Sequence, residues 1–157
     1  MIQNTTVSNT DKKLVGYMLT WTTYGTWLQG NKKGYVKEGE ILEPSEALEK
    51  DNLSRLKCSP VRLNPGQKMI VETAIKKKAL ELNQKISAII VYSNHVHVVV
   101  EKDSLSIEET VSYYKNAARV ALRNVGFNTR LWSRGFDKQF CYNQKELEQK
   151  IAYVKRH

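Results

Sequence analysis

Cysteine and long apolar segments are both scarce in this sequence of 157 residues. The two cysteines, Cys58 and Cys141, are too few and too far apart for a CxxC zinc site or a disulfide framework. We therefore expect reduced thiols and a cytoplasmic protein. No stretch approaches the ~18 uninterrupted apolar residues of a membrane-spanning helix. We interpret residues 1–13, which are polar and lack the apolar segment of a secretory signal, as a flexible tail, and residues 14–157 as a single domain.

Acidic side chains are also in short supply. The chain has 16 aspartates and glutamates against 25 lysines and arginines, which gives a formal net charge of +9. An excess of this size on a small domain favours polyanionic partners. Nucleic acid is the first choice, because each phosphate that is neutralised releases counterions. The alternative is a basic surface that serves solubility and has no partner.

Four strands are predicted from β-branched, aromatic and apolar runs. Residues 14–22 predict the first strand. Residues 86–92 and 95–101 predict two strands of a hairpin that turns at residues 93–94. A fourth, shorter strand is expected within residues 131–142.

Three helices are predicted from their capping residues. The first begins at Asn64, which a proline follows, and its apolar periodicity continues to about residue 83. The second begins at Ser106, which forms a capping box with Glu109, and ends at Gly126. The third begins at Asn143 and reaches the C-terminus.

The order of these elements is strand, helix, strand, strand, helix, strand, with an extra helix at the end. This order predicts an α+β, ferredoxin-like (RRM-like) antiparallel sheet with helices on one face and an additional C-terminal helix. The long charged connection between the first strand and the first helix, residues 28–62, is predicted to be irregular, with a short helix around residues 45–56.

The chain has three histidines, and two of them, His95 and His97, alternate along a predicted strand. Alternate side chains project from the same face, so both imidazoles lie on one side, roughly 7 Å apart at their Cα atoms, while Val96 packs on the other. Two imidazoles at that spacing can share one metal ion. The alternative is a pair of neutral histidines on the solvated side of the sheet.

The third histidine, His157, lies four residues after Tyr153 on the last predicted helix. Leu147, Ile151 and Val154 fall within a ~60° arc and form the core-facing stripe of that helix. Tyr153 and His157 are neighbours on its flank. A tyrosine can attack a phosphodiester and retain the cut end as a phosphotyrosine, so this pair predicts a nucleophile beside a metal ligand. The alternative is a partly exposed surface tyrosine.

These stretches resemble the single-tyrosine HUH transposases, in particular the REP-associated tyrosine transposases and their insertion-sequence relatives. The similarity lies in four segments that together span nearly the whole chain beyond the tail: residues 19–28 (LTWTTYGTWL), 93–100 (SNHVHVVV), 131–138 (LWSRGFDK) and 151–157 (IAYVKRH).

The resemblance implies a ferredoxin-like nuclease in which Tyr153 forms a 5′-phosphotyrosine. It implies a divalent ion, magnesium or manganese, held by His95, His97 and His157, and hairpin-bearing DNA as the substrate. It also implies a homodimer, because several relatives are dimers. Three histidines without a carboxylate would equally suit zinc or nickel.

Two other tyrosines compete with Tyr153 as the nucleophile. Tyr114 falls on the apolar face of the second helix, which indicates a core residue. Tyr113 has Ala117, not a metal-ligand type, one turn later. Tyr153 is therefore the preferred nucleophile.

Basic residues interleaved with aromatic ones are the candidate DNA-binding groups, because cations follow the phosphates and rings stack on unpaired bases. The alternatives are solvated charges and, for the tryptophan, a core position. The candidates are Lys115, Arg119, Arg123, Arg130, Trp132, Arg134 and Lys138.

The sequence thus predicts a metal-dependent endonuclease and strand transferase for single-stranded or hairpin DNA. One alternative is an RRM-like module that binds nucleic acid without cutting it. Another is a domesticated protein that processes repeats for its host.

Overall fold

The computed structural model describes residues 13–26, 35–37, 40–42 and 59–156. Residues 1–12 of the predicted tail and the predicted helix at 45–56 lie outside the described residues. None of the helices in the described part of the chain is long and apolar enough to cross a membrane. The elements are β1 (Gly16–Thr22), β2 (Tyr35–Lys37), β3 (Glu40–Leu42), α1 (Pro65–Glu81), β4 (Ile86–Val91), β5 (His95–Glu101), α2 (Ile107–Arg123), β6 (Asp137–Cys141) and α3 (Gln144–Lys155).

The main sheet has four antiparallel strands in the order β4-β5-β1-β6. The two strands of the β4–β5 hairpin are followed by α2 and then by β6 at the far edge, next to β1. This is the ferredoxin-like arrangement that the order of elements predicts, and the predicted fold class is confirmed.

The connection after β1 differs from the prediction. It contains a small antiparallel hairpin of β2 and β3, in which Val36 pairs with Ile41. Three-residue strands are too short to show a clear alternation of polar and apolar residues, and the sequence therefore predicts an irregular segment here.

The helices begin where their capping residues predict. The side chain of Asn64 accepts from the backbone amide of Gln67, and the amide side chain of Gln67 accepts in return from the Asn64 backbone. Ser106 and Glu109 form the same reciprocal pair at α2. At α3, Asn143 caps the helix through the backbone amide of Glu146.

Both faces of the sheet are covered, and by different helices. Helices α1 and α2 pack on one face, where the core includes the buried residues Leu19, Trp21, Val96, Val98 and Val100. Helix α3 packs on the other face through a second, smaller apolar cluster that includes Met18, Ala88, Val99, Leu147 and Val154. The side chains of β5 therefore alternate between two buried layers.

Helix α3 comes very close to the sheet at Gly16. A Cβ atom at this position would lie 2.8 Å from the carbonyl oxygen of Val100 and 2.9 Å from Cδ1 of Leu147. The missing side chain at Gly16 is therefore what allows α3 to lie against β1 and β5.

Replacing Gly16 with alanine should destabilise the protein, because one of the two close contacts is a backbone oxygen that cannot rotate away. We expect Gly16→Ala to lower the free energy of unfolding in urea by ~1–3 kcal/mol, as overpacking usually does. Gly66→Ala is the matched control, because its Cβ would meet nothing nearer than 3.5 Å. Within helix α1 the added methyl group should raise the stability by roughly 0.5–1 kcal/mol. Equal effects of the two substitutions would contradict the close approach of α3.

Candidate active site

The two histidines of β5 project from the face of the sheet that α3 covers. In the β1–β5 ladder His95 pairs with Thr22 and His97 with Thr20, while Val96 is fully buried on the opposite face. His97 is only 9% exposed. This face is therefore not the solvated surface that the alternative interpretation of the pair requires.

The spacing of the two imidazoles fits one shared ion. Their ring centroids are 4.8 Å apart, and the ring planes make an angle of 78°. Two imidazoles that bind one ion through nitrogens at ~2.1 Å would have centroids roughly 4.6–5.3 Å apart for bond angles between 90° and tetrahedral. Imidazole nitrogens are also common ligands of divalent cations.

Each histidine has a polar partner at Nδ1. The Nδ1 atom of His95 lies 2.8 Å from the side-chain oxygen of Asn94. The Nδ1 atom of His97 lies 2.8 Å from the hydroxyl oxygen of Thr20. The sequence analysis did not single out either partner, although Thr20 becomes predictable once the strand register is known.

Helix α3 brings Tyr153 to the same place. Leu147 and Val154 are buried on the core-facing side of the helix, as the periodicity predicts, while Tyr153 is 38% exposed on its flank. The Tyr153 ring lies edge-on to His97, with centroids 5.7 Å apart and an interplanar angle of 73°. The predicted nucleophile therefore lies against one of the two predicted metal ligands.

Tyr92 is a fourth aromatic member of this cluster that the sequence analysis missed. Its ring stacks on His95 at 4.3 Å and lies 6.0 Å from His97. Burial raises the pKa of the Tyr92 phenol, and the neighbouring Tyr153 raises it further. The turn at residues 93–94 is the signal that could have identified it, because a two-residue turn places Tyr92 directly opposite His95.

The predicted third metal ligand, His157, lies outside the described residues. Within residues 13–26 and 59–156, no three histidine, cysteine, aspartate or glutamate side chains come close enough together to hold a metal ion. The described part of the site thus consists of His95 and His97, with Tyr153 beside them.

The two competing tyrosines lie in the other helical layer. Tyr114 is fully buried, and its hydroxyl donates to Oε1 of Gln84 at 2.6 Å. Tyr113 is exposed, but α2, which carries it, packs on the face opposite to the histidines. Neither tyrosine belongs to the cluster around His97.

One candidate DNA-binding residue needs correction. Trp132 is only 7% exposed and packs edge-on against Trp21 at 5.9 Å, and its Nε1 donates to the carbonyl oxygen of Lys115. A ring enclosed in this way has no face for a base to stack on. Trp132 is a core residue that anchors the loop around it.

Lys115 also points inward. Its ammonium donates to the carbonyl oxygens of Ser133 at 3.1 Å and Gly135 at 2.8 Å. Burial lowers the pKa of this ammonium, and Arg130 nearby lowers it further. The two hydrogen bonds give Lys115 a structural role in holding the loop of residues 131–136, and its contact with DNA stays a prediction.

The other basic candidates fall into two groups. Arg130 and Arg134 belong to the segment that joins the sheet at the His95 end, where the Ser133 amide donates to the Thr22 carbonyl. Arg130 lies over the ring of Tyr24 at 4.9 Å. The second group lies on the far side of the sheet from the histidines. Arg119 and Arg123 belong to α2, and Lys138 belongs to β6 and forms an ion pair with Glu108 of α2 at 3.6 Å.

Comparison with known proteins identifies a similar fold among solved structures. No protein-family model matches the sequence, and no curated protein sequence matches it. A solved structure of a REP-associated tyrosine transposase bound to a REP hairpin superposes with a TM-score of 0.55 and 14% sequence identity, over 90% of this chain and 65% of that one. This chain thus spans less than two thirds of that protein. A protein from Deinococcus radiodurans, provisionally described as a transposase, has a TM-score of 0.46 and 14% identity over 91% of this chain and 90% of its own.

Removal of the Lys115 ammonium should loosen the loop that carries Arg130 and Arg134. We expect Lys115→Met to cost about 1 kcal/mol of stability, because the loop loses two hydrogen bonds from the ammonium, to the half-buried carbonyl of Ser133 and the exposed carbonyl of Gly135. The amide of Ser133 should exchange its hydrogen faster in the variant, as measured by hydrogen–deuterium exchange. Arg119→Met is the control. Arg119 lies one turn further along α2, and its guanidinium donates to the side-chain oxygen of Asn116 on the same helix. Unchanged exchange at Ser133 in Lys115→Met would contradict the structural role of Lys115.

Proposed function

We propose that this chain is a metal-dependent endonuclease and strand transferase for single-stranded DNA, which acts through a covalent 5′-phosphotyrosine on Tyr153. The observation that carries the proposal is the contact between the Tyr153 ring and His97, with ring centroids 5.7 Å apart. A partly exposed tyrosine on a helix flank is ordinary. A tyrosine beside two histidines whose spacing suits one metal ion is unusual. This arrangement supports a role for Tyr153 as a nucleophile next to a bound phosphate.

The proposed reaction exchanges one phosphoester for another. The phenolic oxygen of Tyr153 attacks the phosphorus, the bond from phosphorus to the 3′ oxygen breaks, and that oxygen takes up a proton while the phenol loses one. The products are a DNA 5′ end joined to Tyr153 and a free 3′ hydroxyl. Because the new ester conserves the bond energy, a 3′ hydroxyl can attack it later and release the tyrosine. The same residue therefore serves both cutting and joining.

His95 and His97 would hold the divalent cation, and we propose magnesium or manganese, with His157 as the third protein ligand. Such a cation polarises the scissile phosphate and neutralises the negative charge that develops on it. The phenol of Tyr153 needs this help, because a tyrosine hydroxyl that keeps its proton is a weak nucleophile.

The proposed substrate is single-stranded or hairpin-bearing DNA. The net charge of +9 favours a polyanion. Arg130 and Arg134 lie at the end of the sheet where His95 is placed, so we assign them to the DNA strand that enters the site. The fold similarity to a protein solved with a REP hairpin supports a hairpin as the first substrate to test.

Incubation with a labelled single strand that carries a hairpin, in the presence of manganese, should give a covalent protein–DNA adduct. In Tyr153→Phe the adduct should fall below detection on a denaturing gel, because the attacking oxygen is missing. Tyr113→Phe is the matched control and should form the adduct at the normal rate, since Tyr113 lies in the α2 layer. Chelation of the metal with EDTA should abolish the adduct in the unaltered chain.

Other outcomes of this experiment would favour other functions. Tight binding of the hairpin with no adduct under any divalent ion would favour the non-catalytic binding module. An adduct that persists in Tyr153→Phe would refute Tyr153 as the nucleophile and direct the search to Tyr92, the neighbouring phenol.

A further inference from the structure

The two hydrogen bonds at the Nδ1 atoms of His95 and His97 decide which nitrogen of each ring can bind a cation. A neutral imidazole carries its proton on one nitrogen and its lone pair on the other. If the proton is on Nδ1, the lone pair is on Nε2, on the opposite side of the ring. The groups that contact Nδ1 therefore determine the direction in which each histidine can act as a ligand.

At His95 the partner is an acceptor. The side-chain oxygen of Asn94, 2.8 Å from Nδ1, is a carbonyl and can only accept. With the Asn94 amide in this orientation, the hydrogen bond requires the proton on Nδ1 and leaves the lone pair on Nε2. The stacked ring of Tyr92, 4.3 Å from His95, restrains rotation of the imidazole away from this hydrogen bond.

At His97 the strand register provides the partner. Thr20 pairs directly with His97 across β1 and β5, and its hydroxyl lies 2.8 Å from Nδ1. Both residues are buried, so water cannot readily replace this bond. A hydroxyl can donate or accept, but only acceptance from Nδ1–H puts the lone pair on Nε2, as at His95.

We propose that Thr20 and Asn94 are positioning residues that hold both histidines in the tautomer with the proton on Nδ1, so that the two Nε2 atoms form a shared ligand position for a divalent cation. This inference rests on the proposed function for the identity of its ligand. The two positioning residues come from different elements, strand β1 and the β4–β5 turn, and each acts on one histidine.

The tautomers can be measured without metal and without DNA. In the ¹⁵N-labelled full chain, at a pH where the rings are neutral, long-range proton–nitrogen correlation spectra distinguish the protonated ring nitrogen from the one with the lone pair. We expect a protonated Nδ1 in both His95 and His97. His157→Gln identifies the signal of the third histidine, so that the two signals that remain belong to His95 and His97. A proton on Nε2 of either ring would overturn the proposal for that histidine.

The second measurement is the affinity for Mn²⁺, taken from the electron paramagnetic resonance signal of the free ion in the absence of DNA. Thr20→Val and Asn94→Ala should each weaken Mn²⁺ binding by ~10–100-fold, the usual cost of losing a hydrogen bond to a ligating histidine. Thr20→Ser and Asn94→Asp keep an acceptor oxygen and should bind Mn²⁺ much more tightly than the first two variants.

Thr110→Val is the matched control, because it removes another buried hydroxyl, which accepts from Gln84 in the α1–α2 layer. It should leave the Mn²⁺ affinity unchanged even if it lowers the stability. Normal affinity in folded Thr20→Val, or no Mn²⁺ binding by the unaltered chain, would overturn the proposal. If Thr20→Val does not fold, Thr20→Ser and the ring tautomers still decide.

Failure of the proposed function gives a different result. Expected tautomers and a selective loss of Mn²⁺ binding, together with no Tyr153 adduct on any hairpin, would support the positioning residues and refute the nuclease.

Discussion

The burial of both faces of one small sheet is the constraint on which the rest of the structure depends. Helices α1 and α2 cover the face with Val96 and Val98, and α3 covers the face with Val99. A single strand can then serve two layers at once, since its side chains alternate between them. The second layer is thinner, because one helix covers it instead of two. His97 is therefore buried while its neighbour Tyr153, on the flank of that helix, still reaches solvent.

The site combines parts with different mechanical properties. The histidines and Thr20 belong to the central strands β5 and β1, which are hydrogen-bonded on both sides, so their relative positions are set by the sheet. Tyr153 comes from a helix that reaches its position through apolar packing and through the close approach at Gly16. The sheet thus fixes the histidines relative to each other, while the position of Tyr153 depends on how one helix packs against the sheet.

Much of this could be predicted from the sequence, because it depends on local patterns. The caps at Asn64 and Ser106, the β4–β5 hairpin and the common face of His95 and His97 all follow from residue type and spacing. The rest depends on contacts between distant parts of the chain. Trp132 and Lys115 carry typical DNA-binding side chains, yet their tertiary neighbours turn them inward. Likewise, Thr20 is 77 residues from His97 along the chain, and only the register of β1 against β5 makes it a partner.

The turn between β4 and β5 has a consequence for how the chain can change over time. Point substitutions at Ser93 or Asn94 would leave the alternation of β5 intact. An insertion or deletion of a single residue there would instead shift the register of β5 against β1 by one residue, and every side chain of β5 would then move to the other face of the sheet. The two imidazoles would then face the apolar layer under α1 and α2, and Val96 would move to the side of the sheet where Tyr153 lies. The length of this turn, more than its composition, is therefore the heritable property that keeps the site and the core on their own sides of the sheet.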